Sequence, residues 1–246
     1  MKYLKFSIII VLVSLLGSCY MIRKQTDYYG VDIEDSKRIV FLIDISGSME
    51  GNAEVDAAGN IVASVTSAAG NRLAKEVGGI GGSIIKKQTK KQLTKLGRAK
   101  REIIPTIRGF NDDVYFNVIT FENNVKPWRA KMVQATATNK NLAITYINNL
   151  KSGGGTNMSD ALEEAFRFAG NANDETTTLG VENIFLLSDG APTVGKVTNR
   201  QGIVNQVEEW NKLDRVIINT IGLGKDKDAE FLTNLAESNR GTYIDK

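Results

Sequence analysis

Asp44, Ser46 and Ser48 occupy alternate positions in the segment Asp44-Ile45-Ser46-Gly47-Ser48, directly after the apolar run Ile39-Val40-Phe41-Leu42-Ile43. One carboxylate and two hydroxyls on so short a segment are hard oxygen donors. They suit Mg²⁺, Mn²⁺ or Ca²⁺ far better than zinc or copper. A metal cage draws donors from more than one segment, and two others offer matching chemistry. Thr156 lies in the glycine-rich stretch Ser152-Gly153-Gly154-Gly155-Thr156-Asn157, and Asp189 follows Ile184-Phe185-Leu186-Leu187 and precedes Gly190.

These donors need rigid elements to bring them together. A continuous β-branched and aromatic run bounded by turn residues reads as a strand buried on both faces of a parallel sheet, so its carboxyl end delivers Asp44 to the rim where open α/β sheets bind ligands. Strand patterns fall at 38–45, 114–121, 181–188, 215–223 and 242–244. Helical spacing connects Leu142, Ala143, Tyr146, Ile147 and Leu150, and again Met158, Ala161, Leu162, Ala165 and Phe166; it recurs in 203–210 and 231–236. Strands alternating with amphipathic helices predict an α/β fold with a doubly wound, mostly parallel central sheet and helices on both faces. The irregular stretch 126–138, with Pro127, fits one short antiparallel edge strand. If the strands that end at Asp44 and Asp189 are neighbours at the switch point, both carboxylates face one crevice.

Residues 51–94 interrupt the rhythm. Asn60 to Ala69 is small and apolar, Gly78-Gly79-Ile80-Gly81-Gly82 has almost no side chains, and 86–101 is rich in Lys and Arg. This reads as a Gly/Ala- and Lys-rich insertion, its basic run expected as a solvated helix face. Helical spacing resumes with Leu96, Ala99, Ile103 and Ile107.

The amino terminus differs again. Lys2 and Lys5 precede an apolar stretch from Ile8 to Leu16 that is too short for a comfortable membrane span, and Leu16-Gly17-Ser18-Cys19 follows. This is similar to a bacterial lipoprotein signal. Residues 1–18 are the expected signal peptide, 19–35 a tether, and Cys19 the lipid-bearing residue. The implied place is the bacterial cell envelope, anchored by lipid, and Tyr20 in place of an acidic residue favours the outer membrane in a diderm. Cys19 is the chain's single cysteine, so no internal disulfide forms. Loss of Lys2 and Lys5 lowers the formal charge from +3 to +1, a balance that offers no reason to expect a nucleic-acid partner.

Asp-x-Ser-x-Ser after a buried strand, a Gly-Gly-Thr loop in mid-chain and Ser-Asp-Gly after a later strand together resemble the von Willebrand factor type A (vWA) domain. The resemblance runs over 36–246 and extends to the Gly241-Thr242-Tyr243 ending. It implies a metal-ion-dependent adhesion site. Ser46, Ser48 and Thr156 would supply hydroxyls, Asp44 and Asp189 would act directly or through water, and the ion would be Mg²⁺ first, then Mn²⁺ or Ca²⁺. An Asp or Glu carboxylate from a protein partner would complete the shell. The 51–94 insertion departs from the family pattern, in which the first helix begins soon after the metal loop.

Catalysis is not expected. The chain has no histidine, which removes Ser-His-Asp and Cys-His systems, and it has no Walker-type phosphate loop. A magnesium-dependent phosphohydrolase resembling the haloacid dehalogenases is the enzyme alternative, but it needs a second acid two places after the strand-terminal Asp, and position 46 is Ser. A third reading is a scaffold that the metal merely stabilises and whose partner binds without it.

Overall fold

The computed structural model describes residues 27–33, 35–51, 94–168 and 180–246. The expected signal peptide, Cys19 and the body of the expected insertion lie outside the described residues. Among the described residues, no helix is long and apolar enough to cross a membrane.

The central strand β3 (Arg38–Asp44) is buried at every position. It pairs in parallel with β4 (Tyr115–Phe121) on one side and β7 (Asn183–Ser188) on the other. β8 (Ile217–Gly222) and β9 (Tyr243–Asp245) continue the parallel sheet beyond β7. The expected antiparallel edge is present as two short pieces on β4, β5 (Val125–Pro127) and β6 (Val133–Gln134). The buried Asn117 side chain holds the connection between them, donating to Arg129 O at 2.8 Å and accepting from the Arg129 N–H at 3.2 Å.

Alternation along β3 sorts the core into two layers. Ile39, Phe41 and Ile43 face a cluster that includes Ile103 and Ile107 of α1 (Lys95–Gly109) and Ile147 of α2 (Ala137–Asn149). Val40 and Leu42 face Leu162 of α3 (Met158–Arg167), Ile203 of α4 (Arg200–Asp214) and Leu232 of α5 (Ala229–Glu237). Helices therefore cover both faces, as the alternating pattern predicts. Leu142 departs from its expected inward place and is 44% exposed, because the buried stripe of α2 runs through Ala143, Ile144 and Ile147.

Part of the expected tether is folded. β1 (Asp27–Tyr28) and β2 (Val31–Asp32) form an antiparallel ribbon. Tyr28 is fully buried and meets Phe41 and Phe185 edge-on at centroid distances of 5.2 and 5.1 Å. Two-residue strands are too short to show a period, and the aromatic anchor, not the pattern, fixes this ribbon to the domain.

Candidate metal site

The strand order β5-β4-β3-β7-β8-β9 reverses direction between β3 and β7, so the switch point lies at their carboxyl ends. Ile43 pairs with Leu187, which sets Asp44 beside Ser188 and brings Asp189 to the same rim. Asp44 is fully buried. Its Oδ1 accepts the Ser46 backbone N–H at 2.8 Å and its Oδ2 accepts the Ser188 hydroxyl at 2.6 Å. Burial pushes the Asp44 carboxyl up to about 6, against the pull of these hydrogen bonds, and the charge of Asp189 adds to the rise.

A 3₁₀ turn, Gly47–Glu50, follows directly, pinned by the fully buried Met49. The turn aims both serines at one point. Ser46 Oγ and Ser48 Oγ are 3.0 Å apart, and the Ser48 hydroxyl donates to Asp189 Oδ1 at 2.7 Å. A hydroxyl that donates its proton still presents lone pairs, so Ser48 can bond Asp189 and face a cation at the same time.

The loop that carries Thr156 docks against the serine turn through backbone bonds. The Gly47 N–H donates to Gly154 O at 3.0 Å, and the Gly153 N–H donates to Ile45 O at 2.8 Å, so the glycine-rich loop lies against the serine turn. Gly154 sits at φ +79°, a conformation that side chains resist. The Thr156 N–H donates to Thr193 Oγ1 at 2.8 Å, while Thr156 O accepts from the Thr193 N–H at 3.0 Å. The loop after β7 thereby clamps Thr156 at both backbone groups.

Two neighbours of this rim are not among the ligands expected from the sequence. Ser188 precedes Asp189 and is masked by its place in an apolar run, yet its hydroxyl serves Asp44. Lys95 is the larger omission. It lies at the far end of the insertion, but its N–H donates to Gly51 O at 2.9 Å, so residues 51 and 95 meet beside the serine turn. Its ammonium donates to Asp189 Oδ2 at 2.7 Å, with the two side chains 7% and 0% exposed. The expectation of a solvated basic face fails here. Lys95 and Lys100 are both buried, and Lys100 donates to Leu150 O at 2.7 Å at the end of α2. The sequence signal for this was the apolar spacing of Leu96, Ala99 and Ile103, whose buried stripe includes positions 95 and 100.

Among the described residues, no group of three Asp, Glu, His or Cys side chains could hold an ion. A cation at this rim would therefore rest on two carboxylates and neutral hydroxyls. The Ser46 and Ser48 hydroxyls and Asp189 Oδ1 form one bonded chain of oxygens, Asp44 joins it through the Ser46 backbone N–H, and the loop that carries Thr156 docks against the same turn. This donor set fits a hard divalent cation.

A family model described as the von Willebrand factor type A domain matches residues 97–245. The chain belongs to the vWA family. Domains of this family commonly mediate protein–protein interaction and adhesion. The match begins inside α1, across the insertion from Asp44.

Inter-alpha-trypsin inhibitor heavy chain H2 of Sus scrofa is 32% identical over 155 residues, which cover 59% of this chain and 16% of that protein. Heavy chain H1 of the same species is 26% identical over 208 residues, covering 84% of this chain and 18% of the relative. The chain thus matches less than a fifth of the length of these relatives.

Among solved structures, a von Willebrand factor type A protein from Catenulispora acidiphila superposes with a TM-score of 0.58 at 17% identity, covering 86% of this chain and 39% of that one. An aerotolerance-related membrane protein from Bacteroides fragilis gives a TM-score of 0.53 at 15% identity, over 85% and 90% of the two chains. At such identities these likenesses establish the fold.

Proposed function

We propose that this chain is an envelope lipoprotein whose vWA domain binds a divalent cation, Mg²⁺ first among candidates, and through it an Asp or Glu of a protein partner. The observation that supports this reading is the convergence of Asp44, Ser46, Ser48 and Asp189 on the switch-point rim, with the Thr156 loop bonded against them. Two carboxylates and neutral hydroxyls leave a bound ion electrophilic, and an anionic group from outside fits the remaining coordination. Such a site binds rather than turns over. Specificity then comes from the surrounding rim, because a single carboxylate occurs on every protein surface.

One observation favours the scaffold reading instead. Both oxygens of Asp189 already have protein partners, Ser48 and Lys95, so the rim holds together without an ion. Pull-down from envelope extract with Mg²⁺ or with chelator, for wild type and Asp44→Ala, separates the two. The adhesion reading expects partners that are retained with Mg²⁺ and lost both with chelator and in the variant. Metal-independent capture supports the scaffold.

Anchoring has its own test. Intact mass of membrane-extracted protein should show a chain starting at Cys19 with acyl groups, and Cys19→Ser should release the domain from the membrane fraction. A chain that retains Met1 without acylation contradicts the anchor.

A further inference from the structure

Lys95 stands where neither helix formation nor solvation would put a lysine. It is the first residue of α1, at the positive end of the helix dipole, where a cation is unfavourable. Its side chain is nearly excluded from water. A buried ammonium requires a charged partner, and Asp189 Oδ2 provides it at 2.7 Å.

The fold makes room for this contact. Gly224, just after β8, lies at φ +86°, and a Cβ there would collide with Lys95 Cε and come within 3.0 Å of Nζ. On the other side the chain passes Gly51, whose carbonyl accepts the Lys95 N–H at 2.9 Å. The lysine stem therefore runs between the rim loops that follow β3 and β8, and its charged end stops at Asp189.

We propose that Lys95 is a resident counter-ion of the rim that sets how tightly the site holds a divalent cation. This rests on the metal-binding reading above. The ammonium keeps Asp189 Oδ2 to itself and leaves Oδ1 to the Ser48 side, so Asp189 offers the ion one oxygen instead of two. It also removes one negative charge from the site. Asp44 and Asp189 against Lys95 leave a single net negative charge, and a divalent ion turns that into a single net positive one. One carboxylate from a partner then brings the cluster to neutrality. Lys95 thus weakens the metal on its own and strengthens the metal's demand for an acidic ligand.

The test is calorimetric titration of the full chain in detergent with Mg²⁺ and with Mn²⁺, for wild type, Lys95→Met and Lys95→Gln. Both variants should bind the ion about tenfold or more tightly, about 1.4 kcal/mol. Lys95→Gln keeps a hydrogen-bond donor for Asp189, so tightening in both assigns the effect to charge. A second titration with acetate at saturating Mg²⁺ should show weaker anion binding in the variants. Should Lys95→Met fold only with metal, the Mg²⁺ dependence of its unfolding midpoint, steeper than that of wild type, reads the same coupling. If wild type binds Mg²⁺ and both variants bind it equally or more weakly, Lys95 does not set the affinity and the proposal is overturned. Absence of binding in all three proteins overturns the metal reading itself.

Discussion

At the amino ends of β3 and β7, Glu182 Oε2 accepts the backbone N–H groups of Lys37 and Arg38 at 2.6 and 3.2 Å, and Asn183 donates to Ser36 Oγ at 2.7 Å. At the carboxyl ends of the same strands, the carboxylates of Asp44 and Asp189 accept from serine hydroxyls and from one lysine. Both ends bind carboxylate oxygens, but with different partners. Backbone donors are fixed by the sheet and cannot leave, so the amino end is a staple. At the carboxyl end the hydroxyls of Ser48 and Ser188 can rotate, so under the proposed reading that end can turn lone pairs toward an ion while Lys95 stays on Asp189 Oδ2. The same pair of strands thus carries a structural end and a chemical one.

The sharpest way to break this contrast is Asp44→Ala. At about a hundred times its dissociation constant, Mg²⁺ should stabilise the wild-type domain by roughly 2.7 kcal/mol. Thermal unfolding with Mg²⁺ and with chelator should show that difference in wild type and none in the variant. Glu182→Ala should behave in the opposite way. Loss of the acceptor for two N–H groups should cost about 1 to 3 kcal/mol with or without metal, while the Mg²⁺-induced shift is retained. A Glu182 variant that loses the metal response would erase the distinction between the ends.

Acidity supplies a graded version. The Asp44 carboxyl lies at about 6, above its ordinary 3.8, so burial favours its neutral form. Metal-free stability from this group is fully present below 3.8 and is lost as pH rises through about 6. Proton and ion compete for Asp44, and Mg²⁺ affinity should therefore weaken by up to about tenfold for each pH unit below 6, about 1.4 kcal/mol. Titration calorimetry across pH 4.5 to about 7 checks this, and a flat profile would remove Asp44 from direct contact with the ion.

The smallest effect belongs to Thr193→Val, which keeps the backbone bond but loses the hydroxyl that accepts the Thr156 N–H. A cost of about 1 kcal/mol in stability is expected, together with a weaker Mg²⁺ response. An unchanged metal response would show that the Thr156 loop is not part of the site.

The residues that were legible in the sequence sit at the ends of regular elements. The run Ile39 to Ile43 declares a buried strand, and its successor Asp44 inherits a place at the rim; the same logic holds for Leu187 and Asp189. The loop of Thr156 was marked by its glycines and by the strongly periodic helix after it, and the structure docks that loop against the serine turn. Lys95 was not, because the insertion separates it in sequence from a carbonyl that it touches in space. The stripe of α1 turns positions 95 and 100 inward, yet nothing in the spacing or in the basic run says that Lys95 meets Asp189. Ser188 was hidden for a related reason: a polar side chain at the end of a buried strand reads as the strand's limit, and only the β3 to β7 register reveals its bond to Asp44. Tyr28 belongs to a ribbon too short for any period, and it is held by contacts with Phe41 and Phe185 that no local pattern encodes.

The central claim is that the rim between β3 and β7 holds a divalent cation, and crystals of the domain soaked in Mn²⁺ test it most directly through anomalous scattering at the manganese edge. A single strong peak bounded by Ser46 Oγ, Ser48 Oγ and the Thr156 hydroxyl, with Asp44 and Asp189 in direct contact or one water away, is the expected result. A peak elsewhere, or none at this rim while Lys95 remains bonded to Asp189, would contradict it.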